Sequence, residues 1–532
     1  MPSSERFQND TTTTSQLCFT DLPNEIIAKI FHAGTLMWSE SWSTNKELPF
    51  PLVVSSLSGH LRLLAQNTPE LWSFIVPPLH KNERFCISHT SEWLQRSGSL
   101  LVSVVLDVRR VPSYPRFNVA LSGLLFLVFV HIAENAIHRI RRMDVFDDNI
   151  YTDNWPMLEV LPRLSGAVNL EQLGVYLSKF IAARTGINSP FWEWSLQLPN
   201  LRILRVEGLY FPYNPNITTL SVFHLRLAYQ DVQTMFSSLP NLTTLVVKDI
   251  LSISSPIPSD RTLIEVKSLR TIAVSCTGRH EDSQIYLFKL ISVPNLTHLE
   301  LDGAFAMSIS VVFDASISDA KIETLRLSNC PNHPPYGGTV KDFEMFHSFT
   351  FLRHLQIVRA PVIAALFSKT TNPISRSRTR SIHLPKPPNM YGQPMPGMRL
   401  RGNDLGSNLH QGTAALANEA FDPMAQTNDL PWPDLRIISL DTLSAADVAL
   451  LCTFVNRHDG VHTVELSKTT MRHLSQSLQR FGNQVNPKPW RARYDSDEGM
   501  KDVPEWLAER VHLTLLQPST YGLLDKDKLT EF

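Results

Sequence analysis

At 532 residues the chain is long enough for about three or four domains or for one long repeat array. Apolar residues at 43% and charged residues at 19% describe an ordinary globular composition with a lightly charged surface, which excludes a chain disordered throughout. Lysine and arginine (49) balance aspartate and glutamate (50) to a net charge of -1, so no bulk positive field exists for nucleic acid or an anionic membrane, and neither is an expected partner.

In chain order, residues 1–17 are rich in Ser, Thr, Asn and Gln and read as disordered. They have neither the basic start nor the apolar centre of a secretory leader, so an intracellular protein, cytoplasmic or nuclear, is expected, with the sequons at Asn216, Asn241 and Asn295 unglycosylated. Asp21, Pro23 and Glu25 then supply the cap, the first-turn proline and the acidic residue of a helix start. Behind them Ile26, Ile27, Ile30 and Phe31 form one apolar stripe on a helix of about ten residues, which is too short to stand without a partner surface. A loop holding Trp38 and Trp42 leads to a second helix from Pro51, with Val53, Val54, Leu57, Leu61, Leu64 and Ala65 on one face. Thr68, Pro69 and Glu70 open a third helix before Leu71, Trp72, Phe74 and Ile75. Residues 18–78 thus make a small helical module, and 79–134 a helical linker and cap. The apolar run 119–130 lies in that linker; at about 12 residues it falls short of the roughly 20 that a membrane span needs and reads as a buried helix.

From about residue 135 a short strand recurs. Leu198-Pro-Asn-Leu-Arg-Ile-Leu-Arg-Val206, Leu239-Pro-Asn-Leu-Thr-Thr-Leu-Val-Val247, Val293-Pro-Asn-Leu-Thr-His-Leu-Glu-Leu301 and Trp432-Pro-Asp-Leu-Arg-Ile-Ile-Ser-Leu440 are four copies of one frame. Counted from the first aliphatic of each L-x-x-L-x-L, the series runs Leu201, Val222, Leu242, Leu269, Leu296, Ile322 and Leu352, at intervals of 21, 20, 27, 27, 26 and 30. Ile137 and Leu170 extend it upstream, and Leu435 and Val461 downstream. The motif alone is weak, because three aliphatic positions match by chance about once in 64 if a quarter of residues qualify. The regular spacing and the shared Pro-Asn-Leu lead-in carry the inference. These units are similar to leucine-rich repeats, whose period is about 20–29 residues, and each must stack on its neighbours to bury its apolar side. Repeats are expected over 135–369 and 432–484. The usual Asn or Cys at the ninth position occurs only as Cys330, so irregular return segments are expected.

Residues 370–431 carry many prolines and no apolar period, and 375–381 with Arg399 and Arg401 make them basic. They read as a disordered insertion, either a solvated loop or a phosphorylation or nuclear-import patch. Asp502, Val503, Pro504 and Glu505 give a further helix start, and 485–532 reads as a cap on the last repeat.

No GxxxxGK[ST], GxGxxG, HExxH or GxSxG motif occurs, so no catalytic residue, cofactor or metal ligand is assigned and an enzyme is not expected. His131 and His138 read as structural. The five cysteines are too far apart for a local CxxC pair.

The segment Asp21-Leu-Pro-Asn-Glu-Ile-Ile-Ala-Lys-Ile-Phe31, with Pro51-Leu-Val-Val-Ser-Ser-Leu57 and Asn67-Thr-Pro-Glu-Leu-Trp72, resembles the F-box, in the form common in mushroom-type fungal families. Ser58-Gly59-His60-Leu61 stands where that family has Cys-Arg-x-Trp; Gly59 then falls inside a helix, at a cost of about 1 kcal/mol relative to Ala. The resemblance implies an α/β fold with an N-terminal three-helix F-box module followed by an irregular leucine-rich-repeat solenoid with one parallel curved sheet. It also implies the substrate receptor of a Skp-cullin-F-box ubiquitin ligase. Leu22, Pro23, Glu25, Ile26, Ile27, Ile30, Phe31 and Trp72 would contact a Skp-type adaptor and through it a cullin. Exposed strand residues such as Arg202, Arg205, Thr243, His298 and Glu300 would hold a protein target. The alternative is a leucine-rich-repeat interaction scaffold with a degenerate module and no role in ubiquitin transfer.

Overall fold

The computed structural model describes residues 19, 22–41, 48–109, 118–147, 161–177, 198–207, 214–223, 229–248, 263–275, 287–288, 290–303, 317, 320–329, 349–359, 432–442, 451, 454–455, 458, 460–467, 470 and 512–515. The N-terminal segment 1–17, Asp21, Trp42, the basic insertion 370–431, Cys330 and most of 485–532 lie outside them.

The first helix, α1 (Asn24–Ser41), is nearly twice as long as the sequence spacing predicts. Its inward stripe continues past Ile27 and Phe31 to Thr35 and Trp38, so Trp38 belongs to the helix and not to a loop. The expected second helix divides into α2 (Phe50–Leu57) and α3 (Gly59–Gln66). Ser58 takes an extended conformation between them, with φ -157° and ψ 164°, and its Oγ accepts from Leu61 N at 3.1 Å. Gly59 is therefore the first residue of a capped helix, where the interior-glycine cost does not arise. Val54, Leu61 and Ala65 are buried, while Val53 and Leu57 are exposed. The third expected helix is a single 3-10 turn over Pro69–Trp72. Thr68 does not cap it; its Oγ1 donates back to Leu64 O at 2.7 Å.

A strand, β1 (Phe74–Ile75), follows at once, so the sheet begins inside the segment expected to be helical. Next come α4 (Glu83–Arg96), β2 (Val102–Asp107), α5 (Asn118–Ala136) and β3 (Ile140–Asp147). Asn82 caps α4 by accepting from Phe85 N at 2.9 Å. The remaining strands are β4 (Gln172–Leu177), β5 (Ile203–Glu207), β6 (Thr219–Phe223), β7 (Thr244–Lys248), β8 (Ile264–Glu265), β9 (Thr271–Ser275), β10 (Ile291–Ser292) and β11 (His298–Asp302). They continue with β12 (Thr324–Ser328), β13 (His354–Val358), β14 (Ile437–Leu440), β15 (Thr463–Leu466) and β16 (His512–Leu515); a helix, α6 (Tyr229–Ser238), lies between β6 and β7.

Among the described residues, fourteen strands form one sheet in chain order, β8 and β10 pairing separately, and every pairing is parallel. The result is a solenoid-like α/β arrangement in which each strand is hydrogen-bonded to its neighbours in the sheet. In each unit one lead-in aliphatic and two strand aliphatics are buried, as in Leu201, Leu204 and Val206 or Leu296, Leu299 and Leu301. Two frames differ from the sequence reading. The unit before β7 is Ile217, Leu220 and Val222, not one starting at Val222; the first is Ile140, Met143 and Val145, not one starting at Ile137.

Two hydrogen-bond patterns bind unit to unit. From β4 to β15 the carbonyl before each strand accepts from two amides of the next unit; Arg202 O, for example, accepts from Thr218 N at 2.9 Å and Thr219 N at 3.0 Å. The lead-in asparagines then reach back one unit: Asn200 Nδ2 donates to Val168 O (2.7 Å), Asn216 to Pro199 O (2.9 Å), Asn241 to Pro215 O (2.9 Å) and Asn295 to Lys267 O (2.9 Å). The shared Pro-Asn-Leu is thus an inter-repeat clip. One apolar core runs from Ile27 to Leu466, so the helical module is continuous with the sheet; Trp38 meets Phe74 of β1 edge-on at 5.3 Å.

Ser58→Ala is expected to cost about 1 kcal/mol through the lost cap. Gly59→Ala, whose added Cβ would meet nothing within 4 Å, should hold or raise stability. Thermal melts of the two variants check the helix break directly.

Candidate interaction surface

The sequence-predicted adaptor residues divide between two sides of the module. Ile27 and Phe31 are buried, Phe31 lying against Phe19 (6.2 Å) and Phe50 (6.3 Å). Trp72 is 0% exposed, its Nε1 donating to Ala65 O at 2.8 Å, its ring edge-on to Trp93 at 5.1 Å and under the Arg96 guanidinium at 4.3 Å. These three side chains are therefore internal packing rather than contact residues, because the inward face of α1 and the 3-10 turn that ends at Trp72 both close on the core. Leu22 is half-buried against that core, and Pro23 and Glu25 are exposed in the first turn.

Ile26 (42%) and Ile30 (43%) do face outward, one turn apart. Elsewhere in the module Leu36, Met37, Val53, Leu57 (65%) and Leu63 (60%) are exposed as well, although the apolar spacing predicts Val53 and Leu57 on an inward face. The signal for the last three was the Ser58-Gly59 pair, a cap-and-start sequence that ends one apolar face and begins another.

The strand residues are also divided. Arg202 and Thr243 are exposed just before their strands; Thr243 Oγ1 donates to Thr218 O at 3.0 Å. Arg205 and His298 are half-buried. Glu300, expected at the surface, is 0% exposed and ion-pairs with the equally buried Arg326 at 3.4 Å, while Arg326 Nη1 donates to Gln356 Oε1 at 3.0 Å. The outward side chains of consecutive strands stand directly opposite one another, Glu300 beside Arg326 and Arg326 beside Gln356, and together exclude water. The same shielding holds Asp302, which accepts from Ser275 Oγ (3.1 Å), Ser328 Oγ (2.8 Å) and Asn329 Nδ2 (2.5 Å). Nearer the front, Phe146 stacks on Tyr176 at 4.3 Å, with Arg109 over Phe146 and Lys248 over Phe223. Gly174 is required in this row: a Cβ there would lie 2.1 Å from Asp144 Oδ1.

Toward the far end, Ser439 Oγ donates to Glu465 Oε2 at 2.6 Å and lies 2.7 Å from His354 Nε2. The hydroxyl proton goes to the carboxylate and not to the imidazole, which is the opposite polarity to a base-activated serine nucleophile. Burial lowers the pKa of His354, the nearby Arg326 adding to the effect and Glu465 opposing it. Burial, with Arg326 and His354 nearby, lowers His298 to about 4. His131 Nε2 lies 2.7 Å from Ser91 Oγ, a structural contact between α4 and α5. Cys86, buried with its Sγ 3.1 Å from Pro78 O, has its thiol pKa raised by burial. Among the described residues no group of three or more His, Cys, Asp or Glu is placed to hold a metal ion, and no helix is long and apolar enough to cross a membrane.

No family model matches the chain, and no curated protein matches it.

Arg326→Met is expected to cost about 3–5 kcal/mol, since it strands a buried carboxylate, and Glu300→Met added to it should recover much of that in urea unfolding. His298 gives a second test. Its folded pKa of about 4 lies below the ordinary 6.5, so as pH falls through 6.5 the unfolded chain takes up a proton that the folded chain refuses. Stability should decline between pH 6.5 and 4 and level off below; urea midpoints of His298→Gln should fall less over that interval than those of the unsubstituted chain.

Proposed function

We propose that the chain is the substrate-recognition subunit of a Skp-cullin-F-box ubiquitin ligase, its N-terminal helices an F-box docking on a Skp-type adaptor and its sheet a leucine-rich-repeat array holding a protein target. The observation that carries the reading is the two-sided module. Ile27, Phe31 and Trp72 belong to the apolar core that continues into the sheet, while Ile26 and Ile30 of α1, Val53 and Leu57 of α2 and Leu63 of α3 remain exposed on the same small unit. Several large aliphatics exposed within so few residues mark a contact surface better than scattered single ones do.

The magnitudes suit a dock that needs more than these five residues. Each is about half covered already, so completing its burial yields about 0.7–1.5 kcal/mol, roughly 4–7 for the five. A micromolar complex needs about 8 kcal/mol net of association costs. Leu36, Pro23 and the charge of Glu25 are the nearest further contributors. Gly59 at a helix start also removes the reason to expect a weakened module.

The test is recovery of the full chain with a purified Skp-type adaptor. Ile30→Asp combined with Leu57→Asp should abolish capture while leaving the thermal melt nearly unchanged, because both side chains are already exposed. Leu22→Ala with Pro23→Ala should weaken capture less. Equal recovery of the double aspartate variant would overturn the assignment.

A further inference from the structure

The residues immediately before successive strands form one row along the sheet, Glu171, Arg202, Thr218, Thr243, Arg270, Thr297, Glu323, Arg353, Arg436 and His462, continued at the front by Arg141 within β3; Thr218, Thr297 and Glu323 are half-buried and the others exposed. From Glu171 to Arg436 their carbonyls are the double acceptors that join unit to unit, so the row inherits the strand spacing. Two arginines in it are paired with carboxylates, Arg141 with Glu171 at 3.6 Å and Arg353 with Glu323 at 3.7 Å. Arg202 and Arg270 have no ion pair among the described residues, and both are held in the same way. Arg202 Nη1 donates to Asn216 O at 3.3 Å and Arg270 Nη1 to Asn295 O at 3.2 Å, each reaching the lead-in asparagine of the following unit. One donor of each guanidinium fixes its position, and the others remain for a ligand.

Three strand steps, β5 to β6 to β7 to β9, separate the two arginines. At about 4.8 Å per step that is about 14 Å, which matches four residues of extended peptide at about 3.4 Å each. Residues i and i+4 of an extended chain also project to the same side. Between the arginines lie Thr218 and Thr243, whose hydroxyls donate to Arg202 O (3.3 Å) and Thr218 O (3.0 Å), so their remaining lone pairs can accept peptide N–H groups.

We infer that this row docks an extended segment of the target carrying two anionic side chains four residues apart, one on Arg202 and one on Arg270. The inference deepens the reading of the sheet as the target-holding part and names the chemistry recognised. Glu323, two strand steps beyond Arg270, disfavours a further acid about three residues past the second one. Carboxylate and phosphoserine share this chemistry, and a peptide with each separates them.

The experiment is fluorescence anisotropy of the full chain at low salt with a labelled nine-residue peptide, Ser-Thr-Glu-Ser-Val-Ser-Glu-Thr-Ser, and with its counterpart carrying phosphoserine for both glutamates. Binding of either that weakens about threefold to fivefold in Arg202→Gln, by a similar factor in Arg270→Gln, and on moving the second acid to i+3 is the expected result. Equal binding of the glutamine-for-glutamate peptide, unchanged affinity in the Arg202→Gln, Arg270→Gln double variant, or tighter binding of a single-stranded oligonucleotide of equal length would overturn it. Both arginines are exposed, so unchanged melts in the variants exclude a folding defect. No adaptor is present in this measurement, so its failure leaves the adaptor capture result standing, and the reverse also holds.

Discussion

A parallel strand with aliphatic residues on one side cannot satisfy itself: its amides and carbonyls, like its side chains, need a neighbour in register on each edge. Everything else in the molecule follows from that obligation. Lead-in carbonyls that accept two amides each, asparagines that clip one unit to the previous one, and fully buried triplets such as Leu201, Leu204 and Val206 are the same requirement met at three levels. The helical module meets it at the front, where Trp38 and Trp72 bring an apolar side to the first strand and to α4.

The parts of the fold legible in the sequence are those where one residue type serves one purpose at a fixed spacing. Pro-Asn-Leu was such a signal, because the proline, the asparagine clip and the buried leucine are all needed at the same turn. The two misplaced frames show where the signal is degenerate. Val222 is the last aliphatic of one L-x-x-L-x-L and could begin another with Leu225 and Leu227; only the parallel register with β5 and β7 selects Ile217. In the module, the i, i+4 pattern continues smoothly through Ser58, although that residue is extended and parts an exposed Leu57 from a buried Leu61.

The candidate contact residues were less legible for a related reason. Alternation along a strand says which side a residue is on, not whether that side is wet. Glu300 and Arg326 alternate outward as expected and are still shielded, because long side chains opposite one another on adjacent strands cover each other. Accessible chemistry moves instead to the row just ahead of the strands, where Arg202 and Thr243 stand clear. Trp72 illustrates the converse: a large aromatic at a conspicuous motif position was engaged by a carbonyl and a second indole within the chain.

The direct pairing of β13 with β14 has an evolutionary consequence. His354 lies beside Ile437 and Arg353 O accepts from Arg436 and Ile437 as at any other step, although residues 359–436 separate the two strands in the chain. Lengthening a connection from about 26 residues to that extent costs only about 1 kcal/mol in closure entropy. The rungs of this ladder therefore keep their pitch whatever hangs between them, and new sequence can be trialled at such a seam without rewriting the rest.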